Sequence, residues 1–130
     1  MFNNRAGFTL VEFLVAILIM MVGLLGLLQT VNTSLSHNLA NQLRNEAVAV
    51  ADRQMSLEMA KGFDLVSTTS MSTYVTRPVL TGFRNFSVIR NGIVPQPLPY
   101  SKQVNIEVRW SYKGVPYSHQ VYGGISKTNR

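Results

Sequence analysis

From Phe13 to Leu43 the chain has no Lys, Arg, Asp or Glu, and from Phe13 to Leu28 every residue is apolar or glycine. A single domain of 130 residues buries only about two-thirds of the surface its unfolded chain exposes. Its first quarter does not read as soluble core at all. About 20 predominantly apolar residues cross a bilayer core, and residues 8–29 meet that length. They are expected to form a transmembrane helix segment.

The rest of the chain divides near Gly62. Before it there is no proline, and the only glycines are Gly7, Gly23 and Gly26. Proline removes a backbone donor and clashes with the preceding turn, so its absence permits one uninterrupted helix. Phe8 to Ala60 would make a helix of roughly 80 Å at about 1.5 Å per residue, with Gly62 after Lys61 as its stop. Beyond Gln29 the pattern turns amphipathic. Val31, Leu35, Leu39, Leu43, Ala47, Ala51, Met55 and Met59 recur every four residues as a slanting stripe. Asn41, Arg44, Asn45, Asp52 and Arg53 lie off it. Such a stripe suits packing on the chain's own domain, and it can also meet neighbours in an assembly.

After Gly62 the period changes. Val104, Ile106, Val108, Trp110 and Tyr112 alternate with Gln103, Asn105, Glu107, Arg109 and Ser111, which predicts a strand with one wet face. Lys113-Gly114 predicts a tight turn and Val115 to Tyr122 the returning strand. Phe83 to Arg90 is a weaker third strand. Residues 64–82 read as a Ser/Thr-rich connector, and Pro95, Pro97 and Pro99 mark a loop.

The N-terminal residues Arg5-Ala6-Gly7-Phe8-Thr9-Leu10-Val11-Glu12 are unusual. A secretory signal places its small-residue cleavage site beyond the apolar stretch; here the candidate small residue, Gly7, precedes it. Cleavage at Gly7 would leave the apolar helix in the mature chain. Glu12 is a carboxylate in an otherwise apolar span, costly unless paired or protonated and so a functional candidate. The alternative is a side chain that reaches the interface near the helix start, where the dipole favours an anion.

Gly7-Phe8-Thr9-Leu10-Val11-Glu12 followed by a long apolar helix resembles the class III signal of type IV prepilins and type II secretion pseudopilins. The resemblance implies that a membrane-embedded prepilin peptidase cuts between Gly7 and Phe8 and methylates the new N-terminus at Phe8. It further implies that Glu12 neutralises the N-terminal amine of a neighbouring subunit during assembly, since a buried ammonium and carboxylate are tolerable only when paired. The Val15-Ala16-Ile17-Leu18 run, Gly23, Gly26 and the strand ending in a glycine turn are similar to minor pilins of the PilV type. I-type pseudopilins share much of this pattern. The absence of a proline in the membrane portion and of a cysteine pair departs from abundant major pilins.

Composition narrows the function classes. With no cysteine there is no disulfide framework and no thiolate metal site. The formal charge is +6, but Arg44, Arg53, Arg77, Arg84, Arg90, Lys102, Arg109, Lys113, Lys127 and Arg130 form no run, so a nucleic-acid patch is not indicated. His37 has no acidic neighbour, and His119 lies between Tyr117 and Val121 on one strand face. Glu46, Asp52, Glu58, Asp64 and Glu107 are too dispersed for a calcium loop. Trp110 and Tyr112 fall on the apolar face, where packing outweighs a stacking platform, while Tyr122 has the better chance of exposure. No nucleophile, phosphate-binding or metal motif appears. No catalytic, cofactor-binding or metal residue and no cofactor is expected, and the chain does not read as an enzyme.

The expected fold is therefore α+β, a long N-terminal helix whose second half packs on a small antiparallel sheet. The expected organisation is a leader over residues 1–7, a transmembrane segment over 8–29, an amphipathic segment over 30–61, and a connector and sheet over 62–130. The last two would form one periplasmic domain. What the resemblance implies is a minor pilin of a type IV pilus, held in the bacterial inner membrane before it joins the filament or its tip. Its partners would be other minor and major pilins, the prepilin peptidase and the inner-membrane assembly platform. A pseudopilin of type II secretion is the second reading, and a non-polymerising membrane-anchored binding protein the third.

Overall fold

A computed structural model describes residues 7–95 and 100–127 of the chain. The element order is α1 (Leu10–Ala60), β1 (Met71–Val79), β2 (Gly82–Ile93), β3 (Ser101–Tyr112) and β4 (Val115–Ser126). The fold is α+β: one long, N-terminally apolar helix and a four-stranded antiparallel sheet in the order β1-β2-β3-β4. The chain falls into two compact units, one through Asn38 and one from Leu39 onward.

The first unit is α-helical from Leu10, two residues later than the apolar pattern alone suggests. Every described side chain through Leu35 in it is exposed. Its polar residues satisfy themselves locally: the Thr30 and Thr33 hydroxyls donate to the Gly26 and Gln29 carbonyls at 3.0 Å each.

In the second unit the sheet buries one face against the C-terminal part of α1. Leu43, Ala47, Ala51 and Met55 of the stripe are buried, and Leu39 and Met59 pack at its edges. Val31 and Leu35, the first two members of the stripe, are exposed. From the sheet come Phe86 and Val88 of β2 and Val104, Ile106 and Val108 of β3, each at most 2% exposed. The alternation expected for β3 is thus realised, with the half-buried Trp110 and Tyr112 packed against the end of the buried row. Trp110 stacks on Tyr117 with ring centroids 5.8 Å apart. Asn41, Arg44, Asn45, Asp52 and Arg53 are exposed, as their position off the stripe implies.

The turn between β3 and β4 has Lys113 at φ 50° and Gly114 at φ 78°, the paired positive values of a two-residue hairpin turn. Gly62 at φ 77° ends the helix, its amide donating to the Met59 carbonyl at 3.4 Å. The expected connector over 64–82 needs correction: Met71–Val79 within it is β1, which pairs with β2 from Met71↔Arg90 to Val79↔Gly82. Thr73, Tyr74, Val75 and Thr76 are strand formers, and an edge strand tolerates Pro78 near its end. The weaker third strand is longer than expected and runs to Ile93. Of the proline loop, Pro95 is described, whereas Pro97 and Pro99 lie outside the described residues.

The segment joining α1 to β1 is fastened by two cations. Arg90, 9% exposed, donates from Nη1 to Glu58 Oε2 at 3.3 Å and to the Ser67 carbonyl at 3.0 Å, and from Nη2 to the Thr69 carbonyl at 2.9 Å. Lys102 Nζ donates to the Phe63 and Val66 carbonyls at 2.7 and 2.9 Å. Glu58 also accepts from Lys61 at 2.6 Å. A buried carboxylate needs such partners, because an unpaired charge away from water is expensive. Gly92 lets this segment approach: a Cβ there would lie 2.5 Å from the Ser67 carbonyl oxygen.

Candidate functional site

The residues singled out at the N-terminus sit where α1 begins. Gly7 and Phe8 precede the helix and are exposed, Phe8 at 76%. Arg5 and Ala6 lie outside the described residues. Thr9 is the helix N-cap, and its carbonyl accepts the first intrahelical bond from the Phe13 amide at 3.2 Å. The Thr9 hydroxyl accepts from the Glu12 amide at 3.2 Å, while Glu12 Oε2 accepts from the Thr9 amide at 3.0 Å. This reciprocal pair is a capping box, which satisfies two amides that the helix start otherwise leaves without partners. The Thr-x-x-Glu spacing before an apolar run is a sequence signal for it, and reading Glu12 only as a misplaced charge overlooks it. The carboxylate also lies at the positive end of the helix dipole. One oxygen serves the cap; a carboxylate has a second, with its own acceptor capacity.

Behind this cap α1 is long and apolar enough to cross a membrane, and none of its apolar window is buried within the chain. Each large apolar side chain there gains about 1.5–3 kcal/mol on leaving water for an apolar medium. Nothing lies within 4 Å of a Cβ placed on Gly23 or Gly26.

The sheet offers shallow grooves, one of them lined by Arg44, Trp110, Tyr112, Tyr117 and His119. Among the described residues no cluster of three or more His, Asp or Glu residues is positioned to hold a metal ion. His37 is exposed. The groove that His119 lines has a volume of 380 Å³. Tyr122 is 70% exposed. On the outer sheet face Arg109 donates to both Glu107 oxygens at 2.8 Å, which holds the Glu107 carboxyl below the usual range.

The class these features define is a chain with one helix long and apolar enough to cross a membrane, followed by a small antiparallel sheet. A family model described as the prokaryotic N-terminal methylation motif matches residues 2–28. That match supports a type IV pilin-like or pseudopilin protein, a kind that is generally non-enzymatic and associates with other pilins and with the membrane. Comparison with curated proteins and with solved structures returns no match to this chain.

Proposed function

We propose that this chain is a minor pilin that takes part in priming or modifying a type IV pilus. The observation that carries the reading is the coincidence of the methylation-motif match over residues 2–28 with an exposed apolar helix whose first turn is capped by Thr9 and Glu12. In this reading a prepilin peptidase cuts between Gly7 and Phe8, and Phe8 is methylated. The cap survives that cut, because it uses the Thr9 amide, one residue inside the new terminus. Glu12 then meets the N-terminal amine of a neighbouring subunit through its remaining acceptor capacity, so that neither charge is left unpaired in an apolar bundle. Gly23 and Gly26 permit close approach of another helix. Residues 30–130 form the periplasmic portion, and other pilins and the inner-membrane assembly platform are the partners.

The test is the mass of the N-terminal peptide from cells with an active prepilin peptidase. A chain that begins at methylated Phe8 is expected; an uncut chain refutes the reading. Deleting the gene then separates the two machines. Sparse pili with normal secretion support the minor pilin, whereas intact pili with exported proteins trapped in the periplasm assign the chain to type II secretion as a pseudopilin.

A further inference from the structure

Exposed sheet edges recruit other strands, and proteins ordinarily block them with charge, proline, bulges or a cover. Within its nine residues β1 has Arg77, paired with Glu46 at 3.9 Å, and Pro78. β4 has Pro116 at its second position, but the ten residues from Tyr117 to Ser126 contain no Lys, Arg, Asp, Glu or Pro. The direction of its backbone groups follows from the ladder. The Lys127 amide donates to the Tyr100 carbonyl at 2.8 Å, and Tyr112↔Val115 closes the two-residue turn, so both pairs are hydrogen-bonded. Bonded and non-bonded pairs alternate in an antiparallel ladder. Ser118, Gln120, Tyr122, Gly124 and Ser126 therefore direct N–H and C=O away from β3. Among the described residues no strand lies beyond them.

The apolar layer is also unfinished at this edge. The core rows of β2 and β3 are closed, but Val115 and Tyr117 on the helix-facing side of β4 are 50% and 45% exposed, and Val121 and Ile125 are only half-buried. The groove beside His119 and Arg44 opens along the same border. At Gly124 a Cβ would meet nothing nearer than the Lys102 carbonyl at 4.0 Å, and a glycine in a strand marks a place where another backbone can come close. Charge narrows the occupant. No Asp or Glu follows Glu107 in the sequence, while Lys113 and Lys127 stand at the two ends of β4. Two copies paired antiparallel would set Lys113 of one against Lys127 of the other. Parallel pairing would set like residues together, and each chain carries +6.

We propose that the free edge of β4 takes up an extended segment of a different protein. The segment has apolar side chains at alternate positions to complete the helix-facing layer, and acidic residues at its ends. Main-chain hydrogen bonds supply affinity and the unfinished apolar row supplies specificity. The proposal is independent of the leader chemistry.

The test is amide hydrogen exchange of the full chain in detergent micelles. The probe is a synthetic peptide of alternating Thr and Val, as long as β4, with Asp at each end. Exchange at Ser118, Gln120, Tyr122 and Gly124 is expected to slow about tenfold. Gln120→Pro removes an edge-facing donor without breaking the ladder to β3 and abolishes the slowing; Gln120→Lys weakens it; Tyr74→Pro on β1 leaves it intact. Unchanged exchange at Val104, Ile106 and Val108 certifies that each variant is folded. The proposal is overturned if the probe slows nothing, if slowing persists in Gln120→Pro or moves to β1, or if a probe ending in Lys works equally well. Slowing without probe that grows with protein concentration overturns it too, since the occupant would then be a second copy.

Discussion

Three glycines in the sheet domain form a graded experiment in which each is replaced by alanine. At Gly92 the new Cβ would lie 2.5 Å from the Ser67 carbonyl oxygen and 2.7 Å from Thr68 Cα, both main-chain atoms. Restoring ordinary contact moves that segment by about 0.9 Å. The shift stretches the bond from Arg90 Nη1 to the Ser67 carbonyl, now 3.0 Å, beyond hydrogen-bonding range. Overpacking costs about 1–3 kcal/mol, and a lost hydrogen bond to a charged group adds about 1.5–3 kcal/mol. We expect Gly92→Ala to cost about 3–5 kcal/mol. Gly123 presents the same 2.5 Å approach, but to Met55 Sδ, and a thioether chain with three rotatable bonds yields. Gly123→Ala should therefore cost about 1 kcal/mol, at the low end of overpacking. Gly124→Ala meets open space and should be neutral or stabilise by about 0.4–1 kcal/mol through the unfolded chain. Urea unfolding of the full chain in micelles, followed by the fluorescence of Trp110, the chain's one tryptophan, reads all three. If Gly92→Ala falls within about 0.5 kcal/mol of Gly124→Ala, the scatter of ordinary surface changes, the argument that this main-chain approach is rigid fails.

Other substitutions probe the remaining contacts. Arg90→Ala strands Glu58, whose remaining ion-pair partner among the described residues is Lys61; removing one member of a buried pair costs about 3–5 kcal/mol. The same unfolding assay should show the lower part of that range, and Arg90→Lys should recover little of it. At the helix start Thr9→Val and Glu12→Ala both break the capping box, at about 0.5–2 kcal/mol of local helix stability, but only the second removes the charge. Subunit incorporation that fails in Glu12→Ala and persists in Thr9→Val assigns the role to charge; equal failure assigns it to the cap. Because Arg109 lowers the folded-state pKa of Glu107, its contribution is present above the unfolded carboxylate value and is lost as pH falls through the folded one. Glu107→Gln should flatten the acid limb of stability against pH, and an unchanged limb would show the contact to be idle.

The parts legible in the sequence were those written in local periodicity. The four-residue spacing from Leu39 to Met59 and the two-residue alternation from Val104 to Tyr112 each select one face, and both faces are buried. Lys113-Gly114 and Gly62 were legible because positive φ favours glycine and because two adjacent positive values suit a hairpin. β1 was not, since serine and threonine serve loops as readily as edge strands and only pairing with β2 decides. The Glu58–Arg90 contact joins residues 32 apart in sequence, and no spacing rule reaches that far. At the N-terminus Gly7, Phe8 and Glu12 stood out for their chemistry, but the partnership of Glu12 with Thr9 was overlooked despite a readable spacing.

The junction between helix and sheet has a mechanical consequence. Once the core that joins α1 to the sheet has yielded, tension along α1 enters the rest of the chain at Gly62 and straightens the segment before β1. Four carbonyls of that segment, at Phe63, Val66, Ser67 and Thr69, are gripped by Lys102 and Arg90. The pull is thereby diverted from β1, an outer strand that could be peeled away one bond at a time, into β2 and β3 at the centre of the sheet. Seven register pairs between those strands, from Ser87↔Arg109 to Ile93↔Gln103, then share the strain. A domain hung by its helix from this point resists being unravelled at its seam.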